Sequence, residues 1–137
     1  MSDQSRKKSQ QSVLIIDDDQ FLLNLYSIKF KNSGFAVDTA TGSEAALSKL
    51  REGGAPDIIL ADVVMPGMDG LSFIETLRKE KLASGATVIV LSNQNQPAEM
   101  ARANALGIAG YIVKANTVPS EVVAEVTRLD STRRGKS

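Results

Sequence analysis

Apolar residues recur along the middle of this chain with two different periods. Short runs rich in valine, isoleucine and leucine are typical of buried strands, and the stretches between them have the three- and four-residue spacing of amphipathic helices. The predicted strands cover residues 13–17, 35–39, 57–62, 86–92 and 109–113. The predicted helices cover about 20–32, 43–52, 70–81, 97–106 and 119–129. This alternation predicts an α/β fold, with a doubly wound five-stranded parallel sheet and helices on both of its faces.

Residue types that favour helix ends support these boundaries. Glycines stand where three of the helices should end, at Gly34, Gly53 and Gly107. Thr41 and Glu44 have the spacing of a capping box at the start of the second helix. Asp19 precedes the first helix, and we expect it to be the N-cap of that helix rather than a metal ligand.

The two ends of the chain differ in composition from the middle. Residues 1–11 and 131–137 are polar and low in complexity, and we expect both to be disordered tails. Their basic side chains are interpreted as solvated, at Arg6, Lys7, Lys8, Arg133, Arg134 and Lys136. Residues 12–130 are expected to form one domain, because a chain of 137 residues suits a single core of ordinary size.

Composition excludes several kinds of chemistry. The chain has no cysteine and no histidine, so disulfides, thiolate or histidine metal ligands and serine–histidine catalysis are ruled out. Sixteen basic residues balance 16 acidic ones, and no basic excess indicates a nucleic acid partner. No apolar run suits a membrane span or a signal peptide, and we expect a cytoplasmic protein that does not bind membranes.

Polar residues suited to ion binding stand at the ends of four predicted strands. Asp17 and Asp18 follow the first strand, Asp62 ends the third, Ser92 the fourth, and Lys114 follows the fifth. In a doubly wound sheet, ligands bind beyond the carboxyl ends of the strands. Crowded carboxylates repel one another, and a hard divalent cation such as Mg²⁺ would offset that repulsion. A nearby lysine and hydroxyl are groups that a phosphoryl group requires.

Four segments resemble the receiver domain of two-component response regulators, of the stand-alone, chemotaxis-regulator-like kind. They are VLIIDDDQ at 13–20, PDIILADVVMPGMDG at 56–70, VIVLSNQ at 88–94 and GYIVKA at 110–115. The segments occur in the family's order, and the resemblance covers about 13–129. It implies a flavodoxin-like sheet with strand order 2-1-3-4-5.

The same resemblance implies a phosphorylation-dependent signalling switch in a phosphorelay. Asp62 would accept a phosphoryl group from a phosphohistidine on a sensor histidine kinase or phosphotransfer protein. Mg²⁺ would bind Asp18, Asp62 and the backbone carbonyl of Val64, with Asp17 acting through water. The protein would not be an enzyme beyond catalysing its own phosphorylation and dephosphorylation.

Three further residues complete the implied switch. Lys114 would pair with the phosphoryl oxygens, and Ser92 would donate a hydrogen bond to one of them. The movement of Ser92 would vacate space for Tyr111, which would remodel the face formed by the last two strand–helix units. We expect the output to pass through another protein or through self-association, as a monomer or a phosphorylation-dependent dimer.

The sequence departs from the family pattern at three positions. Ala115 follows Lys114 where the family usually has a proline after a cis bond, and a cis bond before alanine costs roughly 2.5–4 kcal/mol. We therefore predict a trans Lys114–Ala115 bond, with Lys114 still reaching the acidic cluster through its long side chain. Asn93 is larger than the usual residue, which suggests narrower access, and Ala61 is smaller than usual, which concerns packing.

Two other functions remain open at this point. A receiver-shaped binding module that is never phosphorylated would share the fold. A Mg²⁺-dependent phosphohydrolase of the haloacid dehalogenase type would use Asp17 and Asp19, but it would leave Asp62 unexplained and lacks a later acidic pair on a strand.

One face of the first helix also has two interpretations. Phe21 and Ile28 are seven residues apart and share a face beside the predicted core stripe. They either pack under the last helix or form a kinase-docking patch. The predicted core stripe consists of Leu22, Leu25, Tyr26 and Phe30.

Overall fold

Strands and helices alternate in the order that the hydrophobic pattern predicts. The computed structural model describes residues 10–93 and 96–135, with only the backbone of Asn116. Within this part of the chain the strands are β1 Ser12–Ile16, β2 Ala36–Ala40, β3 Ile58–Asp62, β4 Thr87–Ser92 and β5 Gly110–Val113. The helices are α1 Gln20–Asn32, α2 Ser43–Arg51, α3 Gly70–Glu80, α4 Pro97–Ala105 and α5 Pro119–Arg133, and a 3-10 turn covers Lys114–Asn116. All strand pairs are parallel, in the predicted order β2-β1-β3-β4-β5.

The sheet separates two apolar cores. Successive residues of a strand point to opposite faces, so in β1 Val13 and Ile15 enter one core and Leu14 and Ile16 enter the other. The first core is covered by α1 and α5, and the second by α2, α3 and α4. Because both faces of the central strands are buried, the middle residues of β3 and β4 are all apolar, and polar residues stand only at the strand ends.

The predicted helix cap is confirmed at the start of α1 but not at the start of α2. The side chain of Asp19 caps α1 as predicted, accepting hydrogen bonds from the backbone N–H of Phe21 at 3.0 Å and of Leu22 at 3.3 Å. The capping box predicted at Thr41 and Glu44 is wrong. Gly42 is the N-cap of α2 and makes no side-chain cap hydrogen bond, so the helix begins too late in the chain for the spacing to apply.

The C-terminal tail begins later than predicted, because α5 continues to Arg133. Asp130 is buried, and its carboxylate accepts hydrogen bonds from Thr87 Oγ1 at 2.6 Å, Gln11 Nε2 at 2.8 Å and Arg134 Nε at 2.7 Å. The prediction of disorder is therefore wrong for 131–133. It is also wrong for Gln11, because its hydrogen bond to Asp130 holds it against the end of α5, beside the start of β4. Residues 1–9, 136 and 137 lie outside the described part of the chain. Four of the basic tail residues are therefore not described, namely Arg6, Lys7, Lys8 and Lys136.

The face of α1 that carries Phe21 and Ile28 does not pack under another helix. Their exposed fractions are 69% and 56%, whereas Leu23, Tyr26 and Phe30 of the same helix are buried. The predicted core stripe is thus correct for Tyr26 and Phe30. Leu22 and Leu25 are only half-buried, and Leu23 is the buried leucine of this helix.

Within the described residues, no helix has both the length and the apolar character needed to cross a membrane.

Candidate functional site

Three carboxylates meet at the carboxyl ends of two neighbouring strands. Asp17 and Asp18 directly follow β1, and Asp62 is the last residue of β3, which pairs with β1. One oxygen of each carboxylate lies within 4.8 Å of the others. Asp17 and Asp62 are buried, with exposed fractions of 1% and 3%, and Asp18 is exposed. The predicted cluster is therefore present, with one side open to solvent.

Lys114 reaches this cluster from the end of β5. Its Nζ lies 3.0 Å from Asp17 Oδ2 and 3.1 Å from Asp62 Oδ1. No peptide bond in the described residues is cis, so the predicted trans Lys114–Ala115 bond is confirmed. Burial lowers the pKa of Lys114, but the nearby carboxylates of Asp62 and Asp17 outweigh burial and raise its pKa overall. Lys114 therefore reaches the acidic cluster from a trans bond, as predicted.

The protein offsets the negative charge of the Asp62 carboxylate only in part. Burial, and then the negative charge of Asp17, raise its pKa from 3.8 to about 6, although Lys114 acts in the opposite direction. Its Oδ1 atom is buried and, within the described residues, accepts no well-aligned hydrogen bond despite the ion pair with Lys114. An incompletely satisfied oxygen beside two other carboxylates fits a Mg²⁺ ion, which prefers a few carboxylates and retains several waters.

The side chain of Asp19 does not belong to the carboxylate cluster of Asp17, Asp18 and Asp62. Its side chain caps α1, while Asp17 Oδ1 accepts a hydrogen bond from the Asp19 backbone N–H at 2.9 Å. The pair Asp17 and Asp19 that a haloacid dehalogenase-type phosphohydrolase requires is therefore not presented to one ion.

The loop between β3 and α3 is held close to Asp62. A Cβ atom at Gly70 would lie 2.1 Å from the backbone oxygen of Asp62, so only glycine permits this approach. The buried Ser43 hydroxyl donates to the carbonyl of Met68 at 2.8 Å and fixes the same loop to α2. Val64 lies in this loop with its side chain 60% exposed. Neither Gly70 nor Ser43 was predicted to support the site, although Gly70 is the last residue of the segment 56–70.

Ser92 and Tyr111 both donate hydrogen bonds to Glu99, which was not among the predicted site residues. Ser92 Oγ donates a hydrogen bond to Glu99 Oε2 at 2.8 Å, and the Tyr111 hydroxyl donates to the same oxygen. Ser92 ends β4 and is buried, Tyr111 lies in β5, and Glu99 lies in the first turn of α4. Burial, followed by the hydrogen bond to Glu99, raises the pKa of Tyr111. No signal in the sequence distinguishes Glu99 from an ordinary acidic residue at a helix start.

The other two departures from the family pattern lie in different environments. Asn93, which directly follows β4, is exposed, whereas Ala61 is fully buried in β3, where it precedes Asp62 and pairs with Ile16 of β1. The small side chain of Ala61 thus belongs to the packing of the sheet, as predicted.

Comparison with known proteins gives a consistent result. Residues 13–127 match the family model described as response regulator receiver domain. The alkaline phosphatase synthesis transcriptional regulatory protein PhoP of Bacillus subtilis is 32% identical over 114 residues, which cover 83% of this chain and 46% of PhoP. The DNA-binding response regulator MtrA of Mycobacterium tuberculosis is 30% identical over 116 residues, covering 85% of this chain and 49% of MtrA. The chain thus spans about half the length of these curated relatives.

Solved structures show the same fold. The chemotaxis protein CheY4 of Vibrio cholerae superposes with a TM-score of 0.80 and 26% identity, covering 88% of this chain and 98% of CheY4. A CheY-like receiver domain protein of Methanospirillum hungatei has a TM-score of 0.80 at 22% identity, over 91% of this chain and 98% of that protein.

Proposed function

Because the chain belongs to the response regulator receiver domain family, we propose that it accepts a phosphoryl group on Asp62 and changes its surface in response. The observation that carries the proposal is the environment of this carboxylate. The carboxylate is buried beside Asp17. Its Oδ1 lies 3.1 Å from Lys114 Nζ, but it accepts no well-aligned hydrogen bond within the described residues. With its pKa raised to about 6, Asp62 is mostly ionised at neutral pH and is available as a nucleophile.

The transfer forms one bond and breaks one. An oxygen of Asp62 attacks the phosphorus of a phosphohistidine, the new O–P bond forms, and the N–P bond breaks. The histidine nitrogen leaves with the electron pair of that bond. Lys114, which contacts Asp62, would offset the negative charge on the phosphoryl oxygens, and Ser92 would donate to one of them once its hydroxyl leaves its present acceptor.

The three clustered carboxylates support a metal ion at this site. Asp18 and Asp62 would bind Mg²⁺ directly with the carbonyl of Val64, and Asp17 would act through water. When bound, the ion supplies positive charge that lowers the repulsion between the carboxylates and an incoming phosphoryl group. Asp18 is suited to this position because it is the exposed member of the cluster.

The phosphoryl donor would be a sensor histidine kinase or a phosphotransfer protein in the cytoplasm. We propose that Phe21 and Ile28 on α1 form the docking patch for this donor, since more than half of each residue is exposed. Output would pass to a downstream protein or a phosphorylation-dependent dimer rather than directly to nucleic acid, because the chain has 16 basic and 16 acidic residues. The only catalysis would be phosphorylation and dephosphorylation of the protein itself.

Intact-protein mass spectrometry after incubation with acetyl phosphate and Mg²⁺ tests this function. We expect the wild-type protein to gain one phosphoryl mass and Asp62→Asn to gain none. Asp38→Asn, the same change at an exposed residue of β2, should behave as the wild type. If the wild-type protein gains no phosphoryl mass from acetyl phosphate or from a cognate kinase, the chain is the non-phosphorylated binding module instead.

A further inference from the structure

Glu99 connects three elements beside the proposed phosphoryl site. Its Oε2 accepts hydrogen bonds from Ser92 at the end of β4 and from Tyr111 in β5, while Glu99 itself lies on α4. The two donors are the residues expected to respond to phosphorylation. A single carboxylate oxygen therefore accepts a hydrogen bond from both residues, which also contact each other.

The hydrogen-bond partners of Glu99 lie on β4 and β5 rather than on its own helix. Glu99 is in the first turn of α4, where the unpaired backbone N–H groups of a helix stabilise negative charge. Arg102, one turn further along, binds Glu75 and Ser72 of α3 instead, with a distance of 3.2 Å to each. The basic side chain of α4 is thus engaged with the neighbouring helix, and two hydroxyl groups hold Glu99.

We infer that Glu99 is a positioning residue that keeps the switch in its resting state by holding the hydroxyl proton of Ser92. A serine hydroxyl has one proton to donate. While that proton is directed to Glu99 at 2.8 Å, it is not available to a phosphoryl oxygen on Asp62. The inference rests on the proposed function, in which Ser92 donates to the phosphoryl group.

Phosphorylation then has to break the bond between Ser92 and Glu99. A phosphoryl group on Asp62 would compete for the Ser92 proton, and its charge would repel the carboxylate of Glu99. Loss of this contact frees the first turn of α4 and removes the acceptor that Ser92 and Tyr111 share. The contact thus couples Asp62 to α4, in addition to the coupling between Ser92 and Tyr111.

The initial rate of phosphorylation by acetyl phosphate, followed by intact mass, tests this inference. Glu99→Ala should raise the rate about tenfold, which corresponds to losing one charge-assisted hydrogen bond from the resting state. Glu99→Gln should give an intermediate rate, because its amide oxygen still accepts from Ser92 without a charge. Glu44→Gln is the matched control, with the same charge change at an exposed residue in the first turn of α2, and its rate should equal that of the wild type.

Combining variants separates an action through Ser92 from a general effect of charge. In a Ser92→Ala background, Glu99→Gln should leave the rate nearly unchanged, and Glu99→Ala should do the same. An equal gain with and without Ser92, or no gain in either single variant while the wild type is phosphorylated, would overturn the inference. Lack of phosphorylation in the wild type would instead overturn the proposed function, so the two failures are distinguishable.

Discussion

Replacing Asp62 with asparagine should stabilise the protein in the absence of Mg²⁺. In the folded protein, burial and the charge of Asp17 raise the pKa of Asp62 from 3.8 to about 6, against the opposing effect of Lys114. Because the folded-state pKa is the higher one, the favourable contribution of this carboxyl group is complete below pH 3.8 and is lost as pH rises through about 6. At neutral pH, therefore, the ionised carboxylate destabilises the fold.

The size of this effect follows from the two pKa values. At 1.36 kcal/mol for each pKa unit, the interval from 3.8 to about 6 corresponds to roughly 3 kcal/mol at neutral pH. Asparagine removes the charge at nearly the same volume, and Lys114 keeps its contact with Asp17 at 3.0 Å. Asparagine also loses the attraction of Lys114 for residue 62, so the expected gain is about 1–3 kcal/mol.

Urea unfolding in EDTA, monitored by circular dichroism, measures this gain. We expect the Asp62→Asn midpoint to exceed the wild-type midpoint at pH about 7.5 and to approach it at pH about 4, where the carboxyl group is increasingly protonated. Asp38→Asn, at an exposed ion pair with Lys49, should change the stability by less than about 1 kcal/mol at both pH values. A variant that is less stable than the wild type at pH about 7.5, or an advantage that does not depend on pH, would refute this explanation.

Three other substitutions test separate parts of the structure. Gly70→Ala should cost about 1–3 kcal/mol in urea unfolding and slow phosphorylation, whereas Gly85→Ala, where a Cβ meets no atom within 4 Å, should do neither. Asp130→Ala should cost about 3 kcal/mol at neutral pH, because it leaves Thr87 and other donors unpaired. Although burial raises the pKa of Asp130, its hydrogen bonds lower it overall. Its contribution is therefore complete above its ordinary value of 3.8 and should disappear as pH falls through the lower folded-state pKa. Phe21→Ala should change stability by less than about 0.5 kcal/mol and slow transfer from a cognate kinase but not from acetyl phosphate, and equal slowing with both donors would contradict a docking role.

The architecture was predictable because both faces of the central strands are buried. Residues 13–16 and 58–61 are apolar without interruption, which is typical of parallel strands between helices. The end of α5 was not predictable in the same way. Its last residues are polar, and the buried Asp130 bonds to Gln11, which lies 119 positions away in the sequence. Contacts of this kind leave no local pattern.

The same distinction applies to the site. Asp17, Asp62 and Lys114 were predicted to converge because each stands at the end of a strand, and a parallel sheet brings such ends together. Glu99 was missed because its role depends on how α4 lies against the ends of β4 and β5. Gly70 was missed because its role depends on the close approach of one loop to the Asp62 backbone.

Locating the phosphoryl group tests the central claim most directly. The protein would be phosphorylated with acetyl phosphate and Mg²⁺, reduced with borohydride to mark any aspartyl phosphate, digested, and sequenced by mass spectrometry. The proposed function predicts a single mark, at Asp62, within the segment 56–70. A mark at Asp17 or Asp18 with none at Asp62, or an unmarked protein that still responds to its kinase, would contradict it.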